Sequence, residues 1–364
     1  MMRICLIGKN LTNILLARIL ANKKLTIDII YNVENKKNFN SRTIGISKSN
    51  FDFLLSYEKK IRLFSWPVKK IKIFNQKEKF KELFEFFENN KENFFLIKYN
   101  KIYKYFERSL NKFKNINLIK ISNKINEEYL LKDDKYNLLI NSDTNNQITK
   151  KYFNHKIEKK YYSSAHTCII NHKKITNDIA IQIFTKYGPI AFLPLSNSKT
   201  SIVFSFFHKY EMSNKEIINL INEFNTKYKI ISFGKIEKAD LKFSMLRNYY
   251  YKNILSFGDL IHRIHPLAGQ GFNMTIRDIK ILSFLIDERI ELGLELNSSI
   301  LYDFQKNTKH LNYIFGSSIN FIHDFFKLDN KLNNFLSDPI FSILRKNKFF
   351  NKYANHFADK GIKI

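Results

Sequence analysis

Apolar and polar positions along this chain follow two rhythms. Residues 3–8 are an apolar run closing on Gly8, residues 11–22 carry a helical period, and residues 25–31 form a second apolar run. That pattern predicts strand, helix and strand, a βαβ opening of the dinucleotide-binding kind. Residues 136–146 read as another buried strand running towards Asp143, and residues 254–257 as a further short one. The stretch 274–286 that follows has the wide apolar face of a helix. Between 160 and 207 the rhythm shortens to strands at 161–171, 179–186, 190–195 and 201–207, with turns between them. Ser213-Asn214-Lys215-Glu216 predicts a capping box opening a helix to about residue 228. Residues 239–246 return as a strand. Residues 76–92 read as a linker or exposed helix, 102–114 as an amphipathic helix, and the chain beyond 300 as helical and rich in aromatic residues.

The segment with most chemical content is Gly258-Asp259-Leu260-Ile261-His262-Arg263-Ile264-His265-Pro266-Leu267-Ala268-Gly269-Gln270-Gly271-Phe272-Asn273. It places an Asp at a strand end and a Gly-x-Gly turn directly before a helix. Free backbone N–H groups and the positive dipole end at a helix start suit an anionic or polar ligand, and glycine lets the backbone approach closely. The chain has ten glycines, and three of them fall here, so the segment is not ordinary turn composition. The first βαβ turn is less regular. A Gly-x-Gly-x-x-Gly fingerprint needs glycines at 8, 10 and 13, and the chain has Gly8, Asn10 and Asn13. Asn tolerates the left-handed conformation better than most residues, which would preserve the turn. The acidic residue expected at the end of the second strand is missing: Tyr31 stands there, and Glu34 comes three residues later.

The 258–278 segment resembles the second flavin-binding motif of the class A flavin monooxygenases, and most closely that of the ubiquinone-biosynthesis hydroxylases. Gly258, Asp259, His262, Ile264, His265, Pro266, Leu267, Ala268, Gly269, Gln270, Gly271, Asn273, Arg277 and Asp278 match that pattern. Leu260 and Ile261 replace two alanines. Arg42-Thr43-Ile44-Gly45-Ile46-Ser47 resembles the family segment whose Arg lies beside the cofactor phosphates. The strand ending at Asp143 resembles the motif shared by FAD and pyridine nucleotide, with Thr144 in place of glycine. Gly188-Pro189-Ile190-Ala191-Phe192-Leu193-Pro194-Leu195 resembles the family's sheet over the active site. At the family's Asn-Arg before the 102–114 helix stand Tyr103 and Lys104.

The resemblance implies an α/β (α+β) fold of the aromatic-hydroxylase type. A Rossmann-like FAD-binding domain at 1–152 and 248–300 is interrupted by a sheet-rich substrate domain at 153–247. A helical region at 301–364 follows. It implies FAD held through Gly8, Arg42, Asp143, Gly258, Asp259, Pro266, Ala268, Gly269, Gln270, Gly271 and Asn273. It also implies NAD(P)H as electron donor, and O2 and a polyprenylated phenol or quinone precursor as substrates. The chemistry belongs to the cofactor, so the residues need only bind, orient and stabilise charge. His262 and His265 fall inside the loop pattern and read as structural. The alternative from another class is a catalytically weakened FAD-binding accessory subunit of a ubiquinone-biosynthesis complex, favoured by the lost glycines at 10, 13 and 144.

Composition changes this picture little. At 364 residues and 44% hydrophobic content the chain can bury a core in each unit. The net charge of +28 raises the question of nucleic acid. Yet only ten of the 61 basic residues are Arg, and the lysines are spread among Asn and Ile without a block. A compositional bias accounts for this without a nucleic-acid partner, and leaves a basic face towards anionic lipid as the other reading. No apolar stretch is long enough to span a bilayer. The expected setting is the cytoplasm, in peripheral contact with the inner membrane and with other ubiquinone-biosynthesis proteins. Cys5 and Cys168 read as buried free thiols. Zinc-type Cys/His spacing, a Walker A loop and a Gly-x-Ser-x-Gly elbow are all missing, so no metal is expected.

Overall fold

The computed structural model describes residues 2–32, 41–76, 81–86, 91–121, 130, 135–207, 212–333 and 335–362. Its first sheet is built from β1 (Met2–Ile7), β2 (Leu25–Asn32), β8 (Ile116–Ile121), β9 (Leu138–Asn141), β16 (Tyr250–Tyr251) and β17 (Ile254–Ser256). They stand in the order β16-β17-β9-β1-β2-β8. All neighbours pair in parallel except β16 with β17. Parallel strands covered on both faces need continuous apolar runs, and β9 is Leu-Leu-Ile-Asn with all four residues buried. Helix α1 (Leu11–Leu20) connects β1 to β2, and each of its residues is buried. The strand, helix and strand expected at the N-terminus thus form, and Cys5 and Cys168 are buried free thiols.

The long strands of the second sheet are β10 (Lys156–His172), β11 (Ile179–Thr185), β12 (Gly188–Ser196), β13 (Lys199–Phe207) and β15 (Glu237–Leu246). The sheet also draws strands from outside 153–247: β5 (Lys70–Asn75) and β6 (Glu82–Phe86) at one end, β18 (His262–Arg263) at the other. Its path is β18-β15-β10-β13-β12-β11-β5-β6, and off that path β14 (Ile230–Phe233) pairs with β10. The β6 strand corrects the expectation of a linker or helix at 76–92 within the described part. Its Lys and Glu spacing serves cross-strand pairing instead. Lys72 meets Glu82 at 2.8 Å and Lys70 meets Glu85 at 2.7 Å, while Leu83 and Phe84 are buried.

A third sheet has β3 (Thr43–Ser47), β7 (Phe94–Lys98) and β4 (Trp66–Val68), with β3 at its edge. Helix α2 (Lys48–Tyr57) leaves directly from β3. Helix α3 is Tyr99–Leu110, so it begins three residues before the expected 102. Tyr103 and Lys104 sit inside the helix. A short α4 (Gln147–Tyr152) follows β9, and α5 (Asn214–Phe224) opens on the expected capping box, with both reciprocal bonds formed. The remaining helices are α6 (Gln270–Glu291), α7 (Ser298–Lys331), α8 (Ser337–Lys346) and α9 (Lys348–Lys360).

Candidate functional site

The ends of β1, β9 and β17 face the first turn of α1, and the segments after them carry the candidate residues. Gly8 has φ of +101°, and a Cβ built there would come within 3.1 Å of the Asp143 side chain. The first turn and the β9 turn therefore touch at a point where only glycine fits. Asn10 corrects the left-handed expectation: its φ is −122°, and its side chain caps α1 by accepting from the Asn13 amide at 3.2 Å. Its Nδ2 also donates to the Ser142 hydroxyl at 2.8 Å. Asn13 donates to the carbonyls of Ile7 and Gly8, at 2.9 and 2.8 Å. The two asparagines thus replace glycine flexibility with hydrogen bonds that hold the turn. Asp143 lies two residues past β9, and its Oδ1 accepts from the Asn145 amide at 2.9 Å. Glu34 lies outside the described residues.

At the end of β17, Gly258 packs against Thr12 of α1, where an added Cβ would lie 3.0 Å away. Asp259 follows it and is exposed, with no hydrogen bond or ion pair among the described residues. Arg42, at the start of β3, is also exposed, and its guanidinium lies 4.8 Å from the Tyr99 ring centre. Burial pushes the Tyr99 hydroxyl pKa up; Asp259 acts in the same direction, while Arg42 and the Leu11 amide act against it. Tyr99 therefore joins the start of α1, Arg42 and Asp259 in one place. The local pattern does not single it out, because Tyr99 lies ahead of the helix expected from residue 102. At the far side, Lys9 lies over Tyr31 at 4.7 Å and pairs with Glu107 at 2.7 Å. A carboxylate thus stands near the end of β2 after all, delivered by α3.

The glycine-rich loop is a short 3-10 turn (Leu267–Gly269) running into α6. Pro266 precedes it, and the side chain of Ala268 lies outside the described residues. Gly269 adopts the left-handed conformation, φ +64°, and sits against the backbone of Gly45 in β3. Gly271 is half-buried, with Ile264 its nearest neighbour for an added Cβ. Asn273 is fully buried, and its amide satisfies four groups. Oδ1 accepts from the Ser47 amide at 2.9 Å and from Asn50 at 3.0 Å. Nδ2 donates to the carbonyls of Gly45 at 3.0 Å and Gly269 at 3.2 Å. Asn273 thus acts as a peptide group capping the free edge of β3, and it fixes the loop to that edge. Gln270 donates to the Ala358 carbonyl of α9 at 3.2 Å, leaving Oε1 buried without a partner within the protein. Asp359 of the same helix accepts from the Ser49 amide at 2.8 Å. The last helix therefore closes the loop from behind, which no local pattern announced.

The two loop histidines divide. His262 lies 2.7 Å from Asp278, whose other oxygen accepts from Asn312 of α7 at 3.0 Å. This buried chain ties the loop to two helices. His265 is buried against Tyr161 and His323, with ring centres 5.2 and 4.5 Å away, and neither ring nitrogen meets a partner within the protein. Burial, with His323 adding to it, holds its pKa well below the ordinary 6.5. Burial also lowers that of His323, with Asp324 opposing.

His265 and His323 therefore bind protons less readily in the folded state than in the unfolded state, which takes them up first as pH falls below 6.5. Their stability contribution is complete above that pH and is lost as pH falls through it, at up to about 1.4 kcal/mol per pH unit per group. The urea midpoint is expected to fall between pH 7.5 and 5.5, and His265→Phe to flatten that fall. Equal midpoints in the native chain would contradict the arrangement.

The free Asp259 carboxylate, the free Arg42 guanidinium, the start of α6 behind a left-handed glycine and the orphan Gln270 oxygen together fit a dinucleotide such as FAD. Carboxylate suits sugar hydroxyls, guanidinium suits phosphate, and a helix start suits a partial negative charge. Among the described residues no cluster of His, Cys, Asp or Glu could hold a metal ion.

No family model matches the chain. The ubiquinone biosynthesis monooxygenase COQ6 of Dictyostelium discoideum is 26% identical over 157 residues, covering 33% of this chain and 32% of that protein. The mouse COQ6 is 30% identical over 162 residues, 34% of each. The chain thus matches about a third of the length of these relatives. Among solved structures, p-nitrophenol 4-monooxygenase PnpA of Pseudomonas putida superposes with a TM-score of 0.77 at 10% identity, covering 100% of both chains. PqsL of Pseudomonas aeruginosa, a probable FAD-dependent monooxygenase, gives 0.71 at 12% identity over 90% of this chain and 96% of its own. A single-residue variant of Klebsiella pneumoniae HpxO, complexed with FAD, gives 0.73 at 10% over 99% and 100%. At such identities the structural likeness is one of fold. Over about a third of its length the chain is thus similar in sequence to ubiquinone biosynthesis monooxygenases, and over nearly its whole length it has the fold of FAD-dependent monooxygenases.

Proposed function

We propose that this protein is an FAD-dependent monooxygenase that hydroxylates the aromatic ring of a polyprenylated ubiquinone precursor, with O2 and NAD(P)H as co-substrates. The observation that carries the reading is the Asp259 carboxylate, unpaired among the described residues, which with Arg42 stands by Tyr99, next to a loop anchored by Asn273. Bound FAD, once reduced, supplies the activation of O2. The chain's own residues do the rest. Asp259 accepts hydrogen bonds from ribityl hydroxyls, and Arg42 meets the phosphates. Backbone N–H groups at the start of α6 would stabilise negative charge on a bound flavin. Pro266 would line the flavin site without offering a donor. The long sheet would cover the substrate.

A polyprenyl substrate is insoluble in water, and no helix of the described residues is long and apolar enough to cross a membrane. The reading therefore includes peripheral contact with the inner membrane or with other quinone enzymes. The purified chain is expected to be yellow with non-covalent FAD and to oxidise NAD(P)H faster with a prenylated phenol than with the bare head group. A protein that stays colourless in excess FAD sinks the flavin reading; equal turnover of the two phenols sinks the polyprenyl substrate. The accessory-subunit reading is favoured by the Lys9–Glu107 pair, which takes up the carboxylate beside Tyr31 near the end of β2. Bound FAD without any NAD(P)H oxidation would select it.

A further inference from the structure

Away from the loop lies a second site. A cavity of about 380 Å³ opens where three parts of the chain meet: the start of β10, the end of β15 and the middle of α7. Its volume lies within the range of small-molecule sites. Apolar walls come from Ile157, Met245, Leu246, Tyr249 and Tyr313. Met245, Leu246 and Tyr249 are only 2%, 4% and 1% exposed, so the floor is rigid core rather than mobile surface. The rim carries Arg247, Lys306, Lys309 and His310. An adjoining hollow shares Arg247 and Lys309 and adds His155.

No acidic residue lines either hollow, and Arg247, Lys306 and Lys309 pair with no carboxylate among the described residues. Some cations on neighbouring stretches do find partners. Lys159 of β10 pairs with Asp324 of α7, and Arg289 of α6 pairs with Asp303 of α7. Cations without a carboxylate partner occur elsewhere on this basic chain; what marks this place is that three of them ring one apolar hollow with no acidic lining. Like charges around one concave, low-dielectric wall reinforce one another and concentrate anions there. An apolar floor beneath a cationic rim selects a molecule with both features. A bare anion leaves the floor wet, and a neutral hydrocarbon leaves the cations without a partner.

We propose that this cavity binds an anionic amphiphile, a compact phosphate-type head group held by Arg247, Lys306 and Lys309 over a short apolar chain laid on Met245, Leu246 and Tyr313. The site goes beyond the hydroxylase reading and stands without it. Met245 separates it from the flavin-type loop: its sulfur packs at Gly316 of α7, beside Ile264 of that loop. An occupant therefore bridges the sheet, α7 and the outer side of the loop.

The test is titration of the full chain with decyl phosphate below its micelle concentration, followed by calorimetry. One site is expected, with inorganic phosphate and decanol each at least tenfold weaker. Arg247→Ala with Lys309→Ala should weaken decyl phosphate at least tenfold, and Arg247→Lys with Lys309→Arg should restore most of it. Tyr313→Ala should weaken decyl phosphate and leave inorganic phosphate unchanged. These rim positions are exposed, so the variants should keep the native urea midpoint. Unchanged affinity in the double alanine variant, or equal binding of decyltrimethylammonium, overturns the proposal. Co-sedimentation with phosphatidylglycerol vesicles that is lost in the double variant assigns the head group to a bilayer lipid. Co-sedimentation that is unchanged assigns it to a free amphiphile, and both results support the site. FAD binding is read separately on the same samples. A chain that takes up decyl phosphate but no FAD overturns the flavin reading alone.

Discussion

Asn273→Ala is expected to lower the unfolding free energy by roughly 2–6 kcal/mol, because it leaves at least two backbone groups buried and unpaired at about 1–3 kcal/mol each. The side chain is fully buried, and its two ends serve the Ser47 amide and the Gly45 carbonyl on the open edge of β3. Gly45 and Ser47 alternate with the positions that bond to β7, since the Tyr99 amide donates to Arg42 and the Lys48 amide to Asn93. Their polar groups therefore point away from the sheet, and Asn273 stands where another strand would be. Against a total stability of roughly 5–15 kcal/mol, the loss is a large fraction. Urea denaturation measures it directly. A midpoint equal to that of the unmodified chain would show that the loop is not held this way. FAD affinity should fall as well, because Gly269 loses its anchor on β3.

Asp259→Ala is expected to do the opposite: weaken FAD ten- to a hundredfold while leaving the urea midpoint in place. The carboxylate is exposed and makes no bond among the described residues, so its removal disturbs no protein contact. On the proposed reading, what would be lost are charge-assisted hydrogen bonds to sugar hydroxyls, about 1.5–3 kcal/mol in all. Fluorescence titration with FAD reads the affinity, and Asp259→Asn should lie between alanine and the native residue. Normal FAD binding by the alanine variant would remove Asp259 from the site. The two substitutions lie fourteen positions apart in one motif, yet one tests the frame and the other the ligand contact.

The reading of β6 shows where local pattern is ambiguous. Lys and Glu at short spacing suit the surface of a helix and equally the outer face of a hairpin. Only the presence of β11 beside β5 decided for the strand. The start of α3 is hidden for a related reason. Tyr99 has no capping side chain before it, since Lys98 makes no cap bond, so the helix start carries no sequence mark. Where a cap is present, as at Ser213, the boundary is legible.

By itself the sequence determined the elements whose signal is local. The buried run of β9, the all-buried α1 and the strand, turn and helix from residue 254 to 291 follow from apolar period and glycine placement. It also marked the loop as a candidate ligand site, because a glycine turn before a helix is a short-range feature. The tertiary structure decided which residues face one another there. Tyr99 beside Arg42 and Asp259, Glu107 beside Lys9, Asn273 on the edge of β3 and Ala358 behind Gln270 join positions about 60 to 230 apart in the chain. Such contacts leave no period in the sequence. They form because sheets and helices must bury their apolar faces together, and the polar groups carried along then pair with whatever that packing brings near.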